Sequence, residues 1–150
     1  MDSQELRLLK RFVVGVVLAV AAVTLAPTAH AGMVLGNYKL NTNRDPGHEW
    51  LWSVRQCVDG PPGCVHVSAV PQPNGQAAPY DGNAYLSDGR YTLAVDVPDG
   101  VRCVVAFFPS HDVYSWDAVT LAGQVESTFA TGCGGSPGGV NTYPFSLQRW

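Results

Sequence analysis

Lysine and glutamate nearly disappear from the sequence after residue 31. The remaining ones are Lys39, Glu49 and Glu126. Valine, threonine, tyrosine, glycine and proline are abundant in the same region. Because lysine and glutamate are strong helix formers, while β-branched and aromatic residues favour strands, this composition argues against a helical domain and predicts an all-β one.

Clustered positive charge is also lacking. Three of the nine Lys and Arg residues and two of the twelve Asp and Glu residues precede residue 32, so the rest of the chain has a net charge of −4. Its single lysine and its arginines are scattered along the sequence. Because phosphate binding requires clustered Lys and Arg, we expect neither nucleic acid nor anionic lipid as a partner.

No apolar run is long enough to cross a bilayer. The run Phe12–Leu25 is followed by Pro27, well short of the roughly 20 apolar residues that a membrane helix needs. A basic segment precedes this run, and Ala29-His30-Ala31 follows it in the pattern that a signal peptidase recognises. We therefore predict a cleavable signal peptide over residues 1–31, cut near Ala31-Gly32. Residues 32–150 would form one secreted β-domain of the extracellular space or cell envelope, without a membrane span.

All cysteines follow this signal, and an even number in an exported chain predicts disulfides. They are Cys57, Cys64, Cys103 and Cys133. Three pairings are possible, but the turn residues between the first two cysteines favour Cys57–Cys64 and therefore Cys103–Cys133. Chain entropy assigns about 2.5 and about 3.7 kcal/mol to these closures. The absence of a C-x-x-C pair argues against structural zinc.

Asp-Gly steps divide the chain into short segments and are typical of turns. They are Asp59-Gly60, Asp81-Gly82, Asp88-Gly89 and Asp99-Gly100. The clearest hairpin is Asn83–Val97, with a two-residue turn at Asp88-Gly89. In its second strand, one face is predicted to carry Tyr91, Leu93, Val95 and Val97.

With this hairpin included, the sequence predicts eight or nine short strands. They are Gly36–Thr42, Trp50–Cys57, Cys64–Val70, Ala84–Ser87, Arg90–Val97, Val101–Phe108, Ser115–Leu121, Gly123–Ala130 and Pro144–Leu147. Val101–Phe108 is largely apolar on both faces, which predicts a central buried strand. Pro71–Gly82 and Gly132–Thr142 are predicted loops. We therefore expect an antiparallel β-sandwich, or a small barrel, of about eight strands braced by two disulfides.

One short motif matches the nucleophile elbow of hydrolases, Gly134-Gly135-Ser136-Pro137-Gly138. In that motif the residue after the serine donates its backbone N–H to the oxyanion hole, but Pro137 has no N–H. The elbow also needs a strand before it and a helix after it, whereas this segment is rich in glycine. The sequence therefore predicts a loop at Ser136 and no nucleophile.

The other candidate chemical groups are adjacent pairs, His48-Glu49 and His111-Asp112. Neighbours on a strand point to opposite faces, so neither pair is well placed for acid–base catalysis. The histidines lack metal-ligand spacing and no D-x-D-x-D-G loop occurs, so we predict no metal and no cofactor. Folding could still unite two carboxylates for glycoside hydrolysis, for which Glu49, Asp117 and Glu126 are the candidates.

Two aromatic pairs with a spacing of two residues are the predicted ligand-binding residues. Trp50 and Trp52 share one strand face, and Tyr114 and Trp116 repeat the pattern. Core packing explains such pairs, because large aromatics supply buried area to small β-domains. If the pairs are exposed, they would form a flat platform for sugar rings or an extended partner.

Three segments together resemble small exported proteins of mycobacteria and related actinobacteria. They are Thr42–Trp52, Leu86–Cys103 and Tyr114–Asp117. The resemblance covers most of residues 32–150 and implies export to a cell-envelope or extracellular setting. It implies no activity and no catalytic residues.

These observations favour a secreted, non-enzymatic β-domain that presents a binding surface to a protein or a cell-envelope glycan. One alternative is a secreted hydrolase with a carboxylate or histidine site, whose sign would be a polar cleft that unites several of the acidic and histidine side chains. A second alternative is a purely structural envelope protein. The sequence leaves the ligand, the strand order and the oligomeric state open.

Overall fold

The computed structural model describes residues 32–73 and 77–150. Eight strands cover most of this part of the chain. They are β1 (Gly36–Thr42), β2 (Glu49–Gln56), β3 (Val65–Gln72), β4 (Tyr80–Ser87), β5 (Arg90–Arg102), β6 (Phe107–Asp117), β7 (Ala122–Thr131) and β8 (Pro137–Arg149). No helix in these two ranges is long and apolar enough to span a membrane. The predicted signal peptide lies outside the described residues and stays a prediction.

The strands form a closed antiparallel barrel. Each strand pairs with the next one in sequence, and β8 returns to pair with β1. Leu40, for example, lies opposite Trp50 on one side and Leu147 on the other. The predicted all-β fold of about eight strands is confirmed, and a barrel is the correct one of the two expected architectures.

The hairpin of β4 and β5 follows the sequence pattern closely. Asp88 and Gly89 have φ values of 49° and 75°, as the two central residues of a type I′ turn require. Along β5 the buried residues are Tyr91, Leu93, Val95 and Val97, and exposed residues alternate with them. The predicted inward face of this strand is therefore confirmed.

The predicted strand Val101–Phe108 is wrong. Strand β5 continues past Val97 to Arg102, and the chain turns at residues 103–106 before β6 begins. Between the pairs Val97–Ser110 and Val101–Phe108 the register shifts, so Asp99-Gly100 lies in a bulge and forms no hairpin turn. A Cβ at Gly100 would lie 1.7 Å from the Ser110 Oγ, which explains the glycine. Glycine suits this bulge because it allows the close approach of the neighbouring strand.

Other predicted boundaries also move. β3 ends at Gln72 and β4 begins at Tyr80, so the predicted loop Pro71–Gly82 is shorter than expected. β8 begins at Pro137, inside the predicted loop Gly132–Thr142. In each case the neighbouring strand supplies hydrogen-bond partners that a local pattern does not reveal.

The two predicted disulfides are confirmed. Cys57 and Cys64 close the β2–β3 hairpin with a Cα–Cα distance of 5.6 Å. Cys103 and Cys133 join the β5–β6 turn to the β7–β8 connection with a Cα–Cα distance of 5.5 Å. The two bridges therefore lie at opposite ends of the barrel.

Because each strand pairs with the next one in sequence, the connections lie alternately at the two ends of the barrel. The connections β1–β2, β3–β4, β5–β6 and β7–β8 lie at one end, which we call the mouth end. The other three connections, together with Gly32 and Trp150, lie at what we call the terminal end. Cys103–Cys133 belongs to the mouth end and Cys57–Cys64 to the terminal end.

Candidate functional site

The four predicted binding residues lie inside the barrel. Trp50, Trp52, Tyr114 and Trp116 are all buried, with at most 4% of any one exposed. The Trp52 ring centroid lies 5.2 Å from that of Tyr114 and 5.4 Å from that of Trp116. Core packing is therefore the correct alternative, and the exposed platform is wrong. No observation tests whether one of the four contacts a ligand, which stays a prediction.

The described part of the barrel interior is filled by these side chains. Trp52 also donates from Nε1 to the Tyr80 hydroxyl over 3.0 Å, and the rings of Tyr80 and Tyr114 stack at 5.6 Å. A cavity of about 10 Å³ remains under the mouth end. That volume suffices for about one water molecule. An eight-stranded barrel can either fill its interior with side chains or hold one small ligand. Here the aromatic side chains fill it, so a small-molecule ligand has no room there.

Burial also changes the acidity of two interior tyrosines. It raises the pKa of Tyr114 to about 12 and raises the pKa of Tyr80 well above the usual value. For Tyr114 the nearby Arg44 guanidinium partly opposes this effect, because it favours the anion. Both groups are therefore neutral at physiological pH and serve as apolar packing surface.

Alkaline pH should unfold the protein through these tyrosines. Because the unfolded pKa is about 10, their contribution to stability is present below about pH 10 and is lost as the pH rises toward about 12. Tyrosinate absorbance should therefore include a late stage near pH 12, in which Tyr114 ionises. Tyr114→Phe should remove part of this late stage. Ionisation of Tyr114 near pH 10 in folded protein would contradict this expectation.

An ion pair lies under the mouth of the barrel. Arg44, in the β1–β2 connection, donates from Nη1 to the Asp112 Oδ2 over 2.5 Å. Its Nη2 donates to the Gly100 carbonyl over 2.9 Å and to the Ser127 hydroxyl over 3.2 Å. The Asp112 Oδ1 accepts hydrogen bonds from Ser110 and Ser127 over 2.7 and 2.6 Å. The bulge at Gly100 thus turns a carbonyl toward the arginine.

A second ion pair covers the first. Asp45 accepts hydrogen bonds from Arg102 and, over 3.1 Å, from the Trp50 Nε1. The Arg102 guanidinium also lies 5.7 Å from the Trp50 ring centroid. The charges of Arg44, Asp45 and Arg102 are therefore balanced within the protein, and the β1–β2 connection is fixed over the barrel mouth.

The candidate catalytic side chains are not brought together. His111 points outward and bonds Asp96 across the strands at 2.7 Å, whereas its neighbour Asp112 is buried inside, as strand geometry predicts. Asp117 instead caps the β6–β7 turn by accepting from two backbone N–H groups, which lower its pKa. Glu49 pairs with Lys39 on the outer surface. These groups form no common cleft in the described chain.

The remaining candidates also have structural surroundings. Glu126 is exposed on the outer face of β7. Ser136 follows a short 3₁₀ turn at Cys133–Gly135 and precedes Pro137, the first residue of β8, so no helix follows it. Across residues 32–73 and 77–150, no group of three or more His, Cys, Asp and Glu side chains could hold a metal ion.

Three exposed apolar residues lie close together in the β5–β6 turn and the start of β6, at the mouth end. Val104 and Val105 are 103% and 93% exposed, and Phe107 is 62% exposed. We call these three residues the apolar tip. The Cys103 N–H donates to the Ala106 carbonyl over 2.9 Å, and Cys103 is bridged to Cys133. A hydrogen-bonded turn and a disulfide therefore hold this apolar surface in water.

Sequence reasoning missed the apolar tip. Val104-Val105-Ala106 contains none of the common turn residues, so the segment matched a buried strand. One signal was available, because residues 103–110 and 127–148 contain no Asp, Glu, Lys, Arg or His. The two connections joined by Cys103–Cys133 both lie within these uncharged segments.

No known protein family, curated protein or solved structure matches this chain. The predicted resemblance to exported actinobacterial proteins is untested by these comparisons.

Proposed function

We propose that this protein is an exported, non-enzymatic domain that binds a component of the cell envelope through its apolar tip. The observation that carries the proposal is the full exposure of Val104 and Val105 beside a disulfide. Water-exposed apolar clusters commonly mark interaction sites, and a preformed surface loses less entropy on binding. Export is supported by the two disulfides, which form in oxidising compartments, and by the predicted signal at residues 1–31.

The chemistry of the tip favours a partner with apolar surface over a glycan. Sugars are recognised by exposed aromatic faces together with polar groups, and the four candidate aromatic residues are buried. The tip itself consists of two valines and one phenylalanine. The hydrolase alternative has no comparable support, because the candidate acid and base groups occupy separate places.

Replacing the two valines should abolish this binding. Each valine contributes about 1.5 kcal/mol or more when buried, so Val104→Ser with Val105→Ser should weaken binding about a hundredfold. The experiment immobilises the disulfide-bonded protein and presents solubilised actinobacterial envelope material, with a glycan array in parallel. Dissociation constants are compared between the original and the substituted protein.

The matched control lies at the terminal end. Val58 and Val119 are 96% and 81% exposed, so Val58→Ser with Val119→Ser removes the same chemistry from the opposite end. The control should bind like the original protein. Equal loss in both variants, glycan binding that ignores the tip, or no binding at all would contradict the proposal, and the last result would support a structural role.

A further inference from the structure

We propose that the apolar tip inserts into the acyl region of an uncharged lipid layer. This inference depends on the proposed function, because it names the partner of the same surface. The proposed partner is the hydrophobic part of a lipid layer. Binding to an apolar pocket on a protein is the alternative that the experiment distinguishes.

The first argument is the shape of the mouth end. Strand β6 pairs with β7 only from Ser110 onward, whereas Phe107 and Phe108 pair with β5 alone. The end of the β5–β6 hairpin therefore continues past its last residue pair with β7, and its Cys103 is bridged to Cys133 of the β7–β8 connection. Val104 and Val105 lie at its turn with full exposure. A fully exposed apolar turn needs a complementary pocket on a protein, but a fluid lipid layer accommodates it without one.

The second argument is the lack of charge around the tip. Residues 103–110 and 127–148 contain no ionisable Asp, Glu, Lys, Arg or His side chain. Arg102, which precedes the turn, is paired with Asp45. Moving a charged side chain into hydrocarbon is costly, so an uncharged surface is what insertion requires. Because the tip itself has no basic residue, attraction to anionic lipid has no source at this place, and the apolar contact has to carry the binding.

The exposed charges of the mouth end lie outside the apolar tip. Exposed charged residues occur at both ends of the barrel, with Arg55, Asp59, Asp88 and Arg90 at the terminal end and Glu49 at the β1–β2 connection of the mouth end. The apolar tip itself carries no charge into the lipid. The Cys103–Cys133 bridge keeps the inserting turn fixed to the β7–β8 connection.

The experiment measures co-sedimentation of the disulfide-bonded protein with phosphatidylcholine vesicles. We expect weak, reversible binding, comparable to that of a single acyl chain. Because no charge is involved, binding should be equal at about 0.1 M and about 0.5 M salt. Val104→Ser with Val105→Ser should weaken binding at least tenfold, and the Val58→Ser with Val119→Ser control should not. Circular dichroism of both variants verifies that they are folded.

Three results would overturn the inference. They are no binding to phosphatidylcholine, binding only to phosphatidylglycerol vesicles at low salt, and equal loss in the tip and control variants. If the protein does not bind vesicles but binds an envelope protein only when Val104 and Val105 are present, the lipid inference is wrong and the proposed function survives. If neither vesicles nor envelope material bind, both are wrong.

Discussion

Arg44→Met should lower the free energy of unfolding by about 3–5 kcal/mol, because it leaves a buried carboxylate without its counter-charge. Asp112 is fully buried, and 9% of the Arg44 side chain is exposed. Two serine hydroxyls would still donate to Asp112, but they carry no charge. Denaturant unfolding monitored by fluorescence measures the effect.

An exposed ion pair provides the control for this variant. Lys39 and Glu49 are paired on the surface, with 35% and 52% of their side chains exposed. Exposed pairs contribute about 0–1 kcal/mol, so Lys39→Met should have little effect. A similar loss of unfolding free energy in both variants would show that the buried ion pair stabilises the protein no more than the exposed one.

The double variant Arg44→Met with Asp112→Asn separates charge from packing. Asparagine removes the uncompensated charge but still accepts hydrogen bonds from the two serines. We therefore expect the second substitution to restore part of the lost stability, since interacting pairs deviate from additivity by about 0.5–3 kcal/mol. Additive losses would indicate that Arg44 stabilises the barrel by packing alone.

Trp52→Ala should be the most damaging substitution in the core, with a loss of about 3–5 kcal/mol. The side chain is fully buried and contacts the rings of Tyr80, Tyr114, Trp116 and Phe145. Alanine would leave a large cavity at the centre of the barrel, which the surrounding strands cannot close. Thermal unfolding of the original and the substituted protein measures this loss of stability.

Trp150 is the matched control for Trp52, because the same side chain is 75% exposed at the carboxyl terminus. Trp150→Ala should change stability by no more than about 0.5 kcal/mol. An equal loss of stability in the two variants would contradict the role of Trp52 as the central core residue.

The burial of Arg44 could not be predicted from the sequence. It stands in Asn43-Arg44-Asp45-Pro46-Gly47, a run of residues that is typical of an exposed loop. The side chain is buried because Asp112, 68 residues away, faces the interior at the place where this connection crosses the mouth. No local sequence pattern predicts this contact between Arg44 and Asp112.

The apolar tip could not be predicted from the sequence for a related reason. Alternation along a strand indicates which residues share a face, but a run such as Val101–Phe108 has apolar residues at neighbouring positions and so on both faces. The run is divided by a turn at residues 103–106, and the partner that fixes this division is the bridge to Cys133. A function at this place could not be assigned until the exposure of Val104 was known.

The sequence by itself determined the all-β composition, the Asp88-Gly89 hairpin, the inward face of β5 and the pairing of the cysteines. These features depend on backbone preference, on side-chain alternation and on the short loop between two cysteines, all of which act over a few residues. The tertiary structure decided that β8 pairs with β1, that the aromatic pairs face inward and that an uncharged apolar tip faces water. Those outcomes depend on which strands meet across the whole domain, since closing the barrel sets both the volume to be filled inside and the segments left outside.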